Sequence, residues 1–314
     1  MSARARVRMW LAAALPILLV VGTGGAGCGR RPDPSARELL ADVSRKQADA
    51  AESPRRVELG CQAITALPPL PRDVAWLNIS FTRIGNLEPL RGLPLETLNM
   101  HGVPVTNIGA LAGLPLKRLD MTGVQVQDLE PLKALPLEEL CLADNLAVTN
   151  LAGLRGLRLK VLNVAGCRNL QDIEGLKGMP LEVVNLYSCR LLRDFDSLRG
   201  MPLKTLNLAA CGVADLRVLE GLPLEKLNLE YSKVSDLSPL QGMRLRVLRL
   251  CRNRELKDLG ILFGLPLEEL WFDVDTVEDG FELLRKMRSL KTINGLPASG
   301  FWRRYDAGER DIGP

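Results

Sequence analysis

The sequence predicts an α/β solenoid. This is a right-handed superhelix with a parallel sheet on its concave face, short 3-10 or helical turns and loops on its convex face, and a helical C-terminal cap. Three observations predict it. A leucine pattern recurs every 21 or 22 residues, a column of Asn or Asp follows each copy, and a column of Gly closes it. Aromatic residues make up 4% of the chain and apolar residues 46%, so the core is built from one residue type at fixed spacing. One such unit cannot bury its own leucine face, whereas a stack can.

The bulk properties bound the function. A chain of 314 residues is long enough for one large domain or two ordinary ones. Its net charge is +4, yet Arg4, Arg6 and Arg8 lie in an acid-free stretch at 1–27, so three of the 41 basic residues fall there and the remaining 38 face 37 acidic ones. No global basic field exists to attract nucleic acid. His101 is the sole histidine, which excludes any site needing two.

Along the chain, residues 1–27 come first. Three Arg, an apolar run from Trp10 to Val21 and then small residues reproduce the three-part order of a secretory signal. The run is about 12 residues, short of the roughly 20 that span a bilayer. The segment ends Gly25-Ala26-Gly27-Cys28, which resembles a bacterial lipobox, the cleavage signal that frees a cysteine for diacylation. That pattern prefers Leu where this chain has Gly25. The resemblance implies lipidation at Cys28, with ordinary cleavage or an uncleaved anchor as alternatives. An acyl chain contributes about 0.8 kcal/mol per buried methylene. Residues 28–54 read as a spacer, with a helix over 34–53 carrying Leu39, Leu40 and Val43 on one side.

The solenoid is expected over 55–276. L-x-x-L-x-L, with Met in last place twice, occurs at 95–100, 116–121, 137–142, 203–208, 224–229 and 245–250. Close variants stand at 74–79, 159–164, 181–186 and 267–272, and a worn copy at Val57 and Leu59 precedes them. Residues at the fourth and sixth positions share one face of a short strand. A turn follows, occupied by Thr82, Val103, Val124, Asn145, Cys167, Cys189, Cys211, Ser232, Asn253 and Asp275. Asn145, Cys167, Cys189, Cys211 and Asn253 are expected to form a structural ladder there, bonding to backbone in the tight bend.

The next column is Asn86, Asn107, Asp128, Asn150, Asp172, Asp194, Asp215, Asp236 and Asp258. Each reads as an N-cap opening one convex-side turn. Pro89, Pro131 and Pro239 suit the first turn. Gly92 and its equivalents close it, and Pro94, Pro115 and Pro136 return the chain to an extended conformation. Residues 277–314 read as a cap and tail, in which Val277, Phe281, Leu284 and Met287 follow helical spacing and Leu290 to Ile293 adds a last strand.

A period of this length with this pattern is the leucine-rich-repeat signature. The chain resembles bacterial leucine-rich-repeat proteins: Asp-Leu-Ser-Pro-Leu at 236–240 is similar to the internalin type, and the recurrent Gly-Leu-Pro-Leu to a planctomycete variant. Residues 293–308 resemble the terminal caps of such proteins. The likeness spans about 55–308 and implies a fold, not a function.

Several residues invite chemical readings. Seven cysteines in an exported protein suggest disulfides, but Cys167, Cys189 and Cys211 hold one repeat position, and parallel stacked Cβ vectors do not converge. No zinc spacing occurs, and the Asp column lacks the Gly-Gly-x-Gly-x-Asp calcium repeat. His101 lacks a nucleophile or orienting partner in sequence, and the glycines do not cluster into a phosphate loop. No cofactor is expected, and the chain reads as non-enzymatic.

Function is therefore sought on the concave face, at the third, fifth and seventh positions. The fifth column reads Asn78, Asn99, Asp120, Cys141, Asn163, Asn185, Asn207, Asn228, Arg249 and Trp271, and its Asn are expected to hydrogen-bond from coil to coil. Departures cluster on later coils: Tyr187, Lys226, Glu230, Tyr231, Arg249, Trp271 and Asp273, beside apolar Val161, Val183 and Ala165. Aromatics and Arg around an apolar patch suit a partner-binding surface, with Trp76 and His101 a thinner candidate at the other end. The expected function is a non-catalytic module of the cell envelope that binds a protein or peptide, held to a membrane by Cys28 or the N-terminal segment, or else secreted. The alternative is a structural spacer lipoprotein without a concave ligand.

Overall fold

In the computed structural model, residues 55–310 and 312 are described. Thirteen strands form one sheet in sequence order. They are β1 (Arg55–Glu58), β2 (Val74–Asn78), β3 (Thr97–Asn99), β4 (Arg118–Asp120), β5 (Glu139–Cys141), β6 (Val161–Asn163), β7 (Val183–Asn185), β8 (Thr205–Asn207), β9 (Lys226–Asn228), β10 (Val247–Arg249), β11 (Glu269–Trp271), β12 (Thr292–Ile293) and β13 (Leu296–Pro297). Each strand from β1 to β11 pairs in parallel with the next, and only β13 turns back, antiparallel to β12. The sheet thus ends on a hairpin that the repeat pattern did not foretell.

The register follows the leucine column. Val57, Leu77, Leu98, Leu119 and Leu140 pair coil to coil, as do Leu162, Val184, Leu206, Leu227, Leu248, Leu270 and Ile293. The worn first copy is therefore a true coil. The column is almost fully shielded: Leu98 and Leu206 are 0% exposed. Each such side chain contributes about 1.5–3 kcal/mol when buried, and a one-residue slip would turn it to solvent.

The convex side carries nine 3-10 turns among the described residues, from Glu88–Leu90 to Gly260–Leu262. The Asn/Asp column opens each of them. Asn86 Oδ1 accepts the Glu88 N–H at 2.9 Å and Asp172 Oδ1 that of Glu174 at 2.6 Å, and the geometry repeats at Asp236 and Ser238 at 2.8 Å. The capping oxygen reaches two residues on, one residue earlier than a helix N-cap would sit. A left-handed Gly follows eight of the nine turns, Gly92 for example at φ 71°, and Ala134 takes its place after Glu130–Leu132.

The far end is sealed by α1 (Phe281–Arg285) and α2 (Ala298–Asp306). Val277, Leu284 and Met287 are buried as their spacing predicts, but the helix is only five residues long and holds only Leu284 of the three. The larger helix, α2, inserts Phe301, fully buried, against Phe272 with ring centroids 6.0 Å apart. The signal, the lipidation candidate Cys28 and the helix expected at 34–53 lie outside the described residues. Among the described residues no helix is long and apolar enough to cross a membrane.

Candidate functional site

The concave face is less open than alternation alone implies. Asn185, Asn207 and Asn228 of the fifth column are buried. Their amides mostly serve their own coil: Asn185 Oδ1 accepts the Tyr187 N–H at 3.1 Å, Asn207 Oδ1 that of Ala209 at 3.0 Å, and Asn228 Oδ1 that of Glu230 at 2.9 Å. The expected coil-to-coil amide bond occurs between Asn185 Nδ2 and Asn163 Oδ1 at 3.0 Å. The main task of the column is to bend the strand exit. That bend needs an acceptor reaching two residues on, which the ladder expectation overlooked.

The seven candidate binding residues divide into groups. Arg249, Trp271 and the neighbouring Glu269 form one unit. Glu269 Oε1 accepts from Arg249 Nη2 at 2.9 Å and from Trp271 Nε1 at 2.6 Å, while the guanidinium lies 4.7 Å from the Trp271 ring centroid. Cation–π contact and ion pair together hold both side chains in one arrangement. Lys226 lies half-buried in the third column, in register with Thr205 and Val247, and stands in no ion pair among the described residues. Asp273 accepts the Arg252 N–H at 2.5 Å and so braces a turn. Glu230 is 8% exposed and sits inside the wall of the solenoid. Its carboxylate and that of Asp273, after burial, push the Cys251 thiol up.

Tyr187 and Tyr231 belong elsewhere. They line an open groove at the rim, where strands run into turns, together with Arg190, Arg193, Ala210, Gly212, Ala214 and Lys233. Sequence reasoning missed the cations because it followed strand positions, and these lie beyond the turn. The signal was present: the column after the turn residue reads Arg168, Arg190, Gly212, Lys233, Arg254.

The turn column is built from thiols and amides that bond to the preceding coil. Cys167, Cys189 and Cys211 donate to the carbonyls of Leu142, Val164 and Leu186 at 3.2, 3.3 and 2.8 Å. Asn145 and Asn253 Nδ2 do the same toward Val126 and Leu229 at 2.9 and 2.8 Å. Burial pushes the Cys167 and Cys211 thiols up to about 12 and raises that of Cys189 further. A thiol so shielded stays protonated and is a poor nucleophile. Cys141, Cys167, Cys189, Cys211 and Cys251 are free thiols, and no cluster of three or more His, Cys, Asp or Glu among the described residues is placed to hold a metal.

At the opposite end Trp76 stacks under Arg56 at 4.2 Å, and the His101 ring packs 4.4 Å from Phe81. These aromatics are engaged with their own neighbours.

No family model matches the sequence, and no curated protein matches it. Similarity appears in solved structures. An internalin (inlF) from Listeria monocytogenes superposes with a TM-score of 0.62 and 19% identity, over 84% of this chain and 91% of that one. An internalin C2 (inlC2) from the same organism covers 70% of this chain and 80% of its own at 19% identity, with a TM-score of 0.36. The TLR13–ssRNA13 complex covers 75% and 45% at 18% identity, with a TM-score of 0.43. The first likeness, with the strand register and the convex 3-10 turns, makes the fold that of a leucine-rich-repeat solenoid. At these identities it speaks for the fold alone.

Proposed function

We propose that this solenoid is a non-catalytic binding protein of the cell envelope that holds a protein or peptide partner on its concave face. The observation that carries the reading is the Arg249–Glu269–Trp271 unit. A guanidinium stacked on an indole and locked by one carboxylate is ordered before any partner arrives. Such groups lose little conformational entropy on binding, and Trp and Arg are the side chains that dominate interface energetics. Lys226, two coils from Trp271 on the same face, adds a charge without an ion-pair partner among the described residues.

The envelope placement is supported by the order of charges and apolar residues at 1–27, with Cys28 as the proposed anchor. The first test is chemical cross-linking in envelope extract with the full chain and with a Lys226→Glu, Trp271→Ala variant whose thermal unfolding is checked in parallel. The expected outcome is a partner captured by the parent and lost by the folded variant. Identical captures by both would move the weight to a structural spacer. In that case Cys28→Ser should release the chain from membranes, and retention of that variant would remove the lipid anchor as well.

A further inference from the structure

The rim groove is one coil wide, and its shape follows from three consecutive repeats. The central repeat supplies Ala209-Ala210-Cys211-Gly212-Val213-Ala214, a floor without bulk. The preceding repeat supplies Tyr187, Arg190 and Arg193 as one wall, and the following one Tyr231 and Lys233 as the other. The walls stand two strand spacings apart, each about 4.8 Å. That width suits a single extended chain. Gly212 and Ala214 are exposed, and their N–H groups donate to no other group of the described residues. The floor therefore holds two backbone donors without a partner among the described residues.

Charge defines the occupant. The lining holds three cations and no carboxylate. Elsewhere cations are routinely matched, as Lys160 is with Glu138 and Lys204 with Glu182, but Arg190, Arg193 and Lys233 stand in no ion pair among the described residues. The two Arg are nonetheless held in place. Arg193 Nη1 donates to the carbonyls of Arg190 and Leu192 at 2.8 and 2.9 Å, and Arg190 Nε to Ser188 Oγ at 3.3 Å. Both keep further N–H donors for a ligand. Tyr231 sits at φ 55°, at a left-handed position that Gly102, Gly123 and Gly166 hold in three other coils and Phe81, Asp144, Ser188, Ala210 and Arg252 in further ones. Tyr231 is 51% exposed, so its side chain is open to a ligand at the groove wall.

We propose that this groove docks an extended acidic peptide segment of a partner protein, its carboxylates on Arg190, Arg193 and Lys233 and its backbone over Gly212 and Ala214. Exposed Leu191, between the two Arg, offers apolar contact to the same segment. A single-stranded nucleic acid fits less well, because phosphate tracking needs a longer basic stripe, and the floor coil also carries Asp215, closed in an ion pair with Arg217. The proposal rests on the reading of this chain as a binding protein but uses none of the concave platform.

The test is fluorescence anisotropy of a labelled oligo-glutamate titrated with the full chain. Saturable, salt-sensitive binding is expected. Arg190→Glu with Lys233→Glu should weaken it by about tenfold or more. Ala214→Glu, which keeps every cation and fills the floor, should weaken it as well. Lys226→Glu on the concave face and Arg288→Glu at the cap should bind like the parent. Absence of saturable binding, equal loss in Arg288→Glu, or tighter binding of a charge-matched single-stranded oligonucleotide through the same residues overturns the proposal. If oligo-glutamate fails while the concave variant still loses its cross-linked partner, the groove alone is misassigned. Failure of both experiments removes the binding reading itself.

Discussion

Cys189 and Asn253 occupy the same repeat position and do the same work. Each sends a donor to a carbonyl of the preceding coil, Val164 for the thiol and Leu229 for the amide. The column requires a small donor in a buried bend, and either side chain meets that requirement. The thiol brings a pH dependence that the amide lacks. Burial raises Cys167 and Cys211 from 9.0 to about 12, so between those values the unfolded chain loses protons that the folded chain retains. Stability contributed by these thiols is complete below pH 9 and is lost as pH rises toward about 12. Thermal melts across that window should show falling midpoints, and the triple replacement of Cys167, Cys189 and Cys211 by Asn should flatten the fall. An unchanged slope would place the alkaline loss in other groups.

Coil-to-coil recognition also has an electrostatic device along one edge. The second repeat position reads Glu96, Lys117, Glu138, Lys160, Glu182, Lys204, Glu225, Arg246, Glu268 and Lys291, alternating in sign from coil to coil. Ion pairs follow: Lys117–Glu96 at 3.0 Å, Lys160–Glu138 at 3.0 Å and Lys204–Glu182 at 2.7 Å, with Glu268 shared by Arg246 and Lys291. The Lys160 hydrogen bond holds the Glu138 carboxyl below its usual range. These pairs are exposed and individually weak, yet the alternation penalises pairing a coil with one that carries its own sign, as skipping a single coil would. Lys160→Glu would set three carboxylates side by side. It should lower the thermal midpoint in dilute buffer, with much of the loss recovered in high salt, where screening acts within a few ångströms. A midpoint insensitive to salt would show that the column contributes nothing. The convex turns impose a second constraint, since a Cβ at Gly175 would collide with the Leu151 carbonyl of the turn before.

At the scale of the molecule, a solenoid must finish. Its last leucine layer would otherwise meet water, and the termination is an aromatic one. Phe301 is fully buried among Phe272, Trp302 and Tyr305, and Arg285 lies 4.8 Å from the Trp302 ring centroid while pairing with Asp306. Because each coil touches only its neighbours, stability is close to a sum of nearest-neighbour terms, and the ends limit the whole. Phe301→Ala should cost about 3–5 kcal/mol in denaturant unfolding. It should also expose the β11–β12 end first, seen as early amide exchange there. Uniform exchange along the solenoid would argue that the coils unfold as one unit.

Much of this was present in one dimension. The spacing of Leu98, Leu119 and Leu140 determined strand, register and stacking order, because one residue type repeated at a constant interval has a single low-energy way to bury itself. The Asn86 to Asp258 column likewise determined the convex turns, since an Asx oxygen acts two residues away. The alternating charges were legible too, one coil apart, to a reading that compared columns rather than neighbours. What only the tertiary structure decided is where positions 21 or 22 residues apart meet at the rim. Arg190 and Lys233 share a repeat column two coils apart, but Arg193 stands outside it. They converge because the turns of separate coils stack beside a coil whose own turn is Ala and Gly. Whether Glu230 faces water or the wall, and whether Phe301 is tail or plug, likewise depended on neighbours brought by folding, because burial is a property of the surroundings and not of the residue.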